Sequence, residues 1–478
     1  MQKNKIHFFK TLPDAPARIF LIGIGGIGMS ALAQLLLWKG YQIAGSDRDL
    51  KNQDKKELYQ KLQKLGIELY PQDGSGITHF QPNAVIITAA IEPGNPDLPS
   101  DTKVCPVLHR ACALSQLLDS IPATLITIAG SCGKTSVSGW IASALKSLKK
   151  PILMVNGGYS LDFISKNLPG NFYADPQPEY IIAEVDESDH SIKEFRPDYA
   201  LLLNIGKDHY ERTELENVFQ QYLHHAKKGV VVPAELQTLA PQKIPQKTFT
   251  DKPHVQAPCP ANYKCSQNGI HFQLPNLASI RSSQSGFHSA MNATAVFQLL
   301  RLLFPAEDKQ NLADALCHYQ GIRQRFEIMS SPKSCPVIND YAHNPQKIQA
   351  AIQTAKERFG TGIVLVFQPH GYGPFGFMRE ALKATLLHCL DKTDRFLLLP
   401  VFYAGGTSSF TPKSEEVAQE FAQDGLPVRA ISERTEAAQF IYNFTPKSAV
   451  LIMGARDASL RAWTAEIATH IQYQESLC

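Results

Sequence analysis

TLITIAGSCGKTSVSGWIASAL, residues Thr124–Leu145, is the stretch on which the fold reading turns. Thr124–Ile128 is an apolar run of strand length, and the residues after Thr135 return to helical apolar spacing. Between them lie Gly130, Ser131, Cys132, Gly133, Lys134, Thr135 and Ser136. The glycines bare backbone N–H groups, and the helix start adds a positive potential, so the loop suits phosphate. Lys134 brings an ammonium for phosphate oxygens and Thr135 a hydroxyl suited to Mg²⁺. The pattern is a short form of the general GxxxxGK[ST] loop, because Ile128 stands where the first glycine would be. It predicts an ATP site on a strand–loop–helix unit. Cys132 has no His and Asp pattern around it, so the expectation is that it is not a nucleophile.

Outward from that unit, apolar runs of strand length alternate with helical segments along the whole chain, the pattern of parallel sheets covered by helices. The runs include Arg18–Ile22, Ala84–Thr88, Tyr180–Ala183, Ala200–Leu203, Ile363–Phe367, Phe396–Val401 and Val450–Met453. Between about Pro233 and Ile280 the composition shifts to Pro, Gln and Ser with short apolar pieces such as Gly269–Leu274, which predicts a small antiparallel excursion. At 478 residues the chain exceeds one ordinary core and suggests about three domains. Boundaries are expected near Cys112–Ser120 and Ile322–Phe326.

Arg18–Ile22 runs into GIGGIGMSALAQLLL, a second strand, glycine turn and helix, with Gly23, Gly25, Gly26, Ile27 and Gly28 in the turn. It too predicts a phosphate-binding helix start. Ser46 and Asp47 follow, and Asp47 lies 19 residues beyond Gly28, where a dinucleotide-binding fold carries its ribose-binding acid. An NAD-dependent oxidoreductase is therefore one reading of this segment alone. It would leave Lys134 and Thr135 without a role.

Two further strands end in polar clusters. After Tyr180–Ala183 come Glu184, Asp186, Glu187 and Asp189, and after Ala200–Leu203 come Asp208 and His209. Carboxylates at strand ends suit hard cations, and Mg²⁺ on nucleotide phosphates needs few protein ligands because it keeps its waters. Glu184 and His209 are the leading metal candidates, beside Thr135. Capping or solvent exposure accounts for the remaining acids and for His190.

Composition narrows the class. With 44% hydrophobic and 19% charged residues and a net charge of +3, the chain reads as a globular protein without a nucleic-acid footprint. Nine scattered cysteines, none spaced CxxC, predict neither a disulfide framework nor a zinc site and point to a reducing compartment. The N-terminus does not resemble a secretory signal and no apolar run reaches spanning length, so the expectation is a cytoplasmic protein without membrane contact.

In order, GIGGIGMS with GSD, the short GxxGKT loop, EVDESD and NIGKDH resemble the Mur ligase family. HSAMN (His288–Asn292), GIRQRFE (Gly321–Glu327), DYAHNP (Asp340–Pro345), FQPH (Phe367–His370), YAGG (Tyr403–Gly406) and GARD (Gly454–Asp457) continue the likeness nearly to the end of the chain. The resemblance implies three α/β domains: a Rossmann-like UDP-sugar-binding domain at 1–115, a central P-loop ATPase-type parallel-sheet domain at 116–322, and a Rossmann-like amino-acid-binding domain at 323–478. It implies ATP-dependent joining of L-alanine or another amino acid to the carboxylate of UDP-N-acetylmuramate through an acyl phosphate, in peptidoglycan precursor synthesis, with no NAD. By similarity, Lys134 holds the β- and γ-phosphates, Thr135 and Glu184 one Mg²⁺, and His209 a second. His288 and Asn292 face adenine; Arg325 and Asp340 contact ATP. Gly23, Gly25, Gly26, Ile27, Gly28, Ser46 and Asp47 bind the UDP-sugar, while Tyr341, His343 and His370 lie near the amino acid.

The departures fall at the amino-acid end. Alanine-adding members usually continue FQPH as RYTRT, with two arginines suited to gripping a carboxylate; here the run is GYGPFGF, with Gly371 and Pro374 in their places. Arg379, further along the same predicted helix, is expected to substitute. Ser131-Cys132 replaces Thr-His, Ser289 replaces Asn, Asn344 replaces His, and Arg456 stands in GARD where Gly is common. A Mur-type ligase with another amine or peptide substrate, and a non-catalytic nucleotide-binding homologue, remain alternatives at this stage.

Overall fold

A computed structural model describes residues 8–99, 101–102, 105–186, 191–206, 212–403, 410–444 and 448–476. The chain divides into two compact units. The first comprises Met1–Tyr263, His271–Gln284 and His288–Ile322; the second comprises Lys264–Ile270, Ser285–Phe287 and Arg323–Cys478.

The first unit begins with strands β1 (Arg18–Ile22), β2 (Gln42–Asp47), β3 (Glu68–Pro71), β4 (Ala84–Ile87) and β5 (Val107–His109). They form a wholly parallel sheet in the order β3-β2-β1-β4-β5. Helices α1 (Ile27–Trp38), α2 (Lys56–Lys64) and α3 (Ser75–Phe80) connect them. Phe20, Leu21, Ile22 and Val85, Ile86, Ile87 are fully buried, as expected for strands covered on both faces. The order reverses at β1, so the crevice beyond the carboxyl ends of β1 and β4 is where such a sheet receives a ligand.

Helix α4 (Arg110–Asp119), where the sequence suggests a boundary, leads into a second sheet. Its strands are β6 (Thr124–Ala129), β7 (Ile152–Val155), β8 (Phe172–Ala174), β9 (Tyr180–Glu184), β10 (Tyr199–Leu202), β11 (Gly229–Pro233) and β12 (Gln246–Phe249), ordered β12-β11-β10-β6-β9-β7-β8. All pairings are parallel except β7 with the edge strand β8. Residues 246–249 extend this parallel sheet, so the predicted excursion is shorter than expected. It is a three-stranded sheet of β13 (Ala261–Ser266), β14 (Gly269–Leu274) and β15 (Ala278–Ser282) in chain order. Helices α5 (Lys134–Ser147), α6 (Arg212–His224), α7 (Phe287–Leu303) and α8 (Lys309–Asp314) complete the region.

One apolar cluster runs from Ile19 and Leu35 through Leu114 and Leu118 to Ile181 and Phe219, so the two sheets of the first unit share a continuous core. Polar ties reinforce it. The Asn171 amide donates to the Ile27 carbonyl at 2.8 Å and to Ser30 Oγ at 2.9 Å, while Gln34 donates to Asn171 Oδ1 at 3.1 Å. All three side chains are buried, so leaving any one unpaired would carry the desolvation cost of a buried polar group.

The second unit is built on β16 (Glu327–Ile328), β17 (Val337–Asp340), β18 (Ile363–Phe367), β19 (Arg395–Leu398), β20 (Val428–Ala430) and β21 (Ala449–Met453), ordered β16-β17-β21-β18-β19-β20. Only β16 is antiparallel. Helices α9 (Pro345–Phe359), α10 (Tyr372–Cys389), α11 (Ser414–Gln423), α12 (Arg434–Asn443) and α13 (Ser459–Ser476) cover its faces with two apolar clusters. No helix among the described residues is long and apolar enough to cross a membrane.

Candidate active site

Because β6, β7, β9 and β10 are parallel neighbours, their carboxyl ends share one edge, and the loops that follow them must meet there. Ile128 lies opposite Glu184, Val155 opposite Ala183, and Leu202 opposite Ala129. The loop of Gly130–Gly133 turns into α5 through Gly133, whose φ of +91° at the N-cap a residue with a Cβ would resist. Lys134 Nζ donates to the Gly130 carbonyl at 2.7 Å, arching back over the loop.

Asn204, beyond β10, fastens this loop from outside. Its Oδ1 accepts from Cys132 N–H and its Nδ2 donates to the Cys132 carbonyl, each at 2.9 Å. Gly206 N–H donates to Ser131 Oγ at 2.8 Å. Cys132 itself is an exposed free thiol. Asn292 on α7 also reaches the loop: a Cβ at Gly133 would lie 3.1 Å from its Oδ1. His288, one turn earlier on the same helix face, is exposed. Neither Asn204 nor Gly206 is singled out by the sequence reading, which takes Asp208 and His209 from the same NIGKDH motif.

Gly157 and Gly158, after β7, were also unmarked. A Cβ on Gly157 would overlap the Glu184 carboxylate, and one on Gly158 would come within 2.6 Å of Thr135 Cγ2. Two successive glycines thus make room for the Glu184 carboxylate and for the methyl of the Thr135 side chain. The Glu184 carboxylate and the Thr135 hydroxyl are hard oxygen donors that fit Mg²⁺, for which one or two protein ligands suffice. His209, with Glu187, Asp189, His190 and Asp208, lies outside the described residues.

At the first glycine turn the structure revises the expected phosphate contacts. The N–H groups of Gly23 and Ile24 donate to the Ser46 carbonyl at 2.8 and 3.0 Å, Gly25 N–H to Asp47 Oδ2 at 2.8 Å, and Gly26 N–H to the Gly23 carbonyl at 3.0 Å. The turn glycines therefore spend their donors on the turn. What remains for an anion is the first turn of α1, at Ile27, Gly28 and Met29, whose N–H groups have no helical acceptor. Arg110 stands beside it, since a Cβ on Gly28 would meet its Nη1 at 3.1 Å. Asp47 is buried, and its second oxygen accepts from Asp49 N–H at 2.9 Å. Ser46 donates to Asp97, which also accepts from Gly74 N–H at 2.7 Å. Both residues shape the loop rather than point outward.

The carboxyl edge of the sheet in the second unit carries the other predicted residues. Asp340 ends β17 and accepts from Phe326 N–H at 2.6 Å and Ala342 N–H at 2.7 Å, and withdrawal from water pushes its carboxyl above the usual range. Arg325 lies over the Tyr341 ring, 5.3 Å from its centroid. His343 is in ring contact with Tyr341 at 5.3 Å and with His370 at 5.5 Å, and its Nδ1 is 2.9 Å from the Tyr341 carbonyl. Arg379 departs from expectation: it is ion-paired with Glu420 on α11.

Burial lowers the His343 pKa to about 4, below the ordinary 6.5. The unfolded chain then binds this proton more readily than the folded one, so the contribution is intact above pH 6.5 and is lost as pH falls toward 4. His343→Gln is expected to flatten the acid limb of a plot of melting temperature against pH between those values. An unchanged limb would place the acid sensitivity elsewhere.

Three family models match the chain in succession. Residues 18–121 match the Mur ligase family catalytic domain, 128–300 the Mur ligase middle domain, and 324–456 the Mur ligase glutamate ligase domain. The UDP-N-acetylmuramate–L-alanine ligase of Fusobacterium nucleatum is 27% identical over 93% of this chain and 95% of its own. That of Thermosynechococcus vestitus is 29% identical over 83% and 84% respectively. Among solved structures, the UDP-N-acetylmuramate–alanine ligase of Thermotoga maritima superposes with a TM-score of 0.76 at 25% identity, covering 96% of this chain and all of that one. A murein peptide ligase from Psychrobacter arcticus, at 16% identity, TM-score 0.63 and coverage of 95% and 98%, shares the fold. With its nucleotide-type loop, its glycine-cradled Glu184 and Thr135, and three matched regions reaching from residue 18 to residue 456, the chain belongs to the Mur ligase family.

Proposed function

We propose that this protein is an ATP-dependent amide ligase that joins L-alanine to the carboxylate of UDP-N-acetylmuramate, forming a peptidoglycan precursor. The observation that carries the reading is the convergence of Lys134, Thr135 and Glu184 at one sheet edge, in a chain that spans nearly the full length of alanine-adding relatives. Domains are assigned as 1–115 for the UDP-sugar, 116–322 for ATP and 323–478 for the amino acid. The free thiols of the eight described cysteines suit a reducing, cytoplasmic setting.

The roles proposed rest on the loops described above and, for His209, on the family resemblance. The first-turn N–H groups of α1 and the Arg110 guanidinium receive the sugar nucleotide's pyrophosphate. The N–H groups of residues 130–136 and Lys134 cradle the ATP phosphates, with Asn292 and His288 toward adenine; Arg325 and Asp340 are assigned to ATP by the family resemblance alone. Thr135 and Glu184 hold one Mg²⁺ and His209 a second; when bound, the ions neutralise the crowded phosphate and carboxylate charge. A muramate carboxylate oxygen attacks the γ-phosphorus and ADP leaves. The amino nitrogen then attacks the acyl carbon, the bond from that carbon to the phosphate oxygen breaks, and the nitrogen loses its proton. Tyr341, His343 and His370 line the amino-acid side.

Carboxylate oxygen ends in phosphate by this route, which isotope labelling reads directly. With ¹⁸O in the muramate carboxylate, one labelled oxygen is expected in each phosphate released. Amide formation with unlabelled phosphate would rule out the acyl phosphate.

A further inference from the structure

After FQPH this chain has Gly371 and Pro374 at the start of α10, so no cation stands there. Gly371 is the N-cap of α10 at φ +72°, a conformation that resists any residue with a Cβ. Pro374 fills the first turn of α10, where its missing N–H costs nothing. Arg379, the next cation along α10, is engaged by Glu420, which also binds Lys383 at 3.0 Å.

A different guanidinium stands at this edge. β21 pairs with β18 so that Met453 lies opposite Phe367, and Gln368 N–H donates to the Met453 carbonyl at 2.9 Å. Residues 454–456 and 368–370 therefore leave the sheet side by side. Gly454 N–H reaches the Asp340 carbonyl at 3.2 Å, which brings the turn before Arg456 against the strand end that leads to Tyr341 and His343. Arg456 is exposed and makes no hydrogen bond or ion pair among the described residues. Its charge is felt at His370, whose imidazole is held below its ordinary pKa by burial first and by Arg456 second. His370 Nδ1 is buried without a hydrogen-bond partner. An uncommitted guanidinium beside an unsatisfied ring nitrogen, on the edge where open α/β sheets bind ligands, lacks only an anion.

We infer that Arg456 holds the carboxylate of the incoming amino acid. This rests on the amide-ligase reading above. Such a site favours amines that carry an α-carboxylate, because guanidinium and carboxylate form a charge-assisted pair that an amide cannot replace.

The test is steady-state ligation by the full-length protein and its Arg456→Ala and Arg456→Lys variants, at saturating Mg²⁺-ATP and UDP-N-acetylmuramate, with L-alanine and L-alaninamide each varied. Loss of a hydrogen bond to a charged group is expected to raise KM for L-alanine roughly tenfold to a hundredfold in Arg456→Ala. Changes in kcat should stay within a few fold, and KM for ATP should not move. Arg456→Lys should recover part of the loss. The preference for L-alanine over its amide should collapse in Arg456→Ala, a result that a merely structural role would not produce. KM and preference unchanged in Arg456→Ala, with wild-type turnover intact, would overturn the inference and leave the ligase reading standing. The same shift in Arg379→Ala with Arg456→Ala silent would assign the carboxylate to Arg379 instead. If another amino acid is the substrate, it and its amide replace the alanine pair. No turnover with any amine overturns both readings.

Discussion

Lys134→Ala is expected to lower the rate of ATP-dependent ligation by roughly a thousandfold while the protein stays folded, the scale on which a lost electrostatic group at developing charge acts. The loop backbone is shaped without the ammonium. Gly130 and Gly133 set its turns, and Asn204 and Gly206 hold Cys132 and Ser131 from the neighbouring strand end. Removing Nζ deletes one bond to the Gly130 carbonyl and the positive charge meant for the phosphates, but not the cradle. A thermal melt within a few degrees of wild type, beside single-turnover kinetics showing the slow step at ADP formation, would meet the expectation. A wild-type rate would show that the phosphates lie elsewhere.

Gly157→Ala should be nearly as damaging by a different route. The added methyl would overlap the Glu184 carboxylate, which is the far end of a flexible side chain and can swing aside at little cost to stability. Swinging aside would displace the oxygen donor proposed for Mg²⁺, so the variant should need far more Mg²⁺. The expectation is a loss of roughly a hundredfold at about 1 mM Mg²⁺, partly recovered at tens of millimolar, since occupancy of a weakened site follows mass action. Loss of activity that Mg²⁺ does not relieve would mean that the two glycines serve the fold instead.

What the sequence discloses is what is local. Strand, glycine turn and helix are consecutive in the chain, so both glycine loops and the ends of β1 and β6 are readable, and interior strands such as β18 (IVLVF) and β21 (AVLIM) announce themselves as unbroken apolar runs. Edge strands do not. β3 (ELYP), β8 (FYA), β12 (QKTF) and β20 (VRA) bury little, carry a weak apolar signal, and become strands by pairing with a stronger neighbour. The site divides in the same way. Lys134, Thr135 and Glu184 follow from motif chemistry, whereas Asn204 against Cys132, 72 residues apart, and Gly157 under Glu184 exist only through strand order. Two misreadings share that cause. The turn N–H groups of Gly23–Gly26 look bare in sequence yet bond to Ser46, Asp47 and Gly23, and Arg379 looks free until α11 brings Glu420 to it.

ATP-driven amide formation at this site has a direct readout. It is tested most directly by incubating the protein with Mg²⁺-ATP, UDP-N-acetylmuramate and L-alanine, then measuring ADP and the mass of the sugar nucleotide together. One ADP and one phosphate are expected for each UDP-N-acetylmuramoyl-L-alanine formed, with no ADP when either acceptor is left out. ADP released without any amide product, or no ADP with any amino acid supplied, would contradict it.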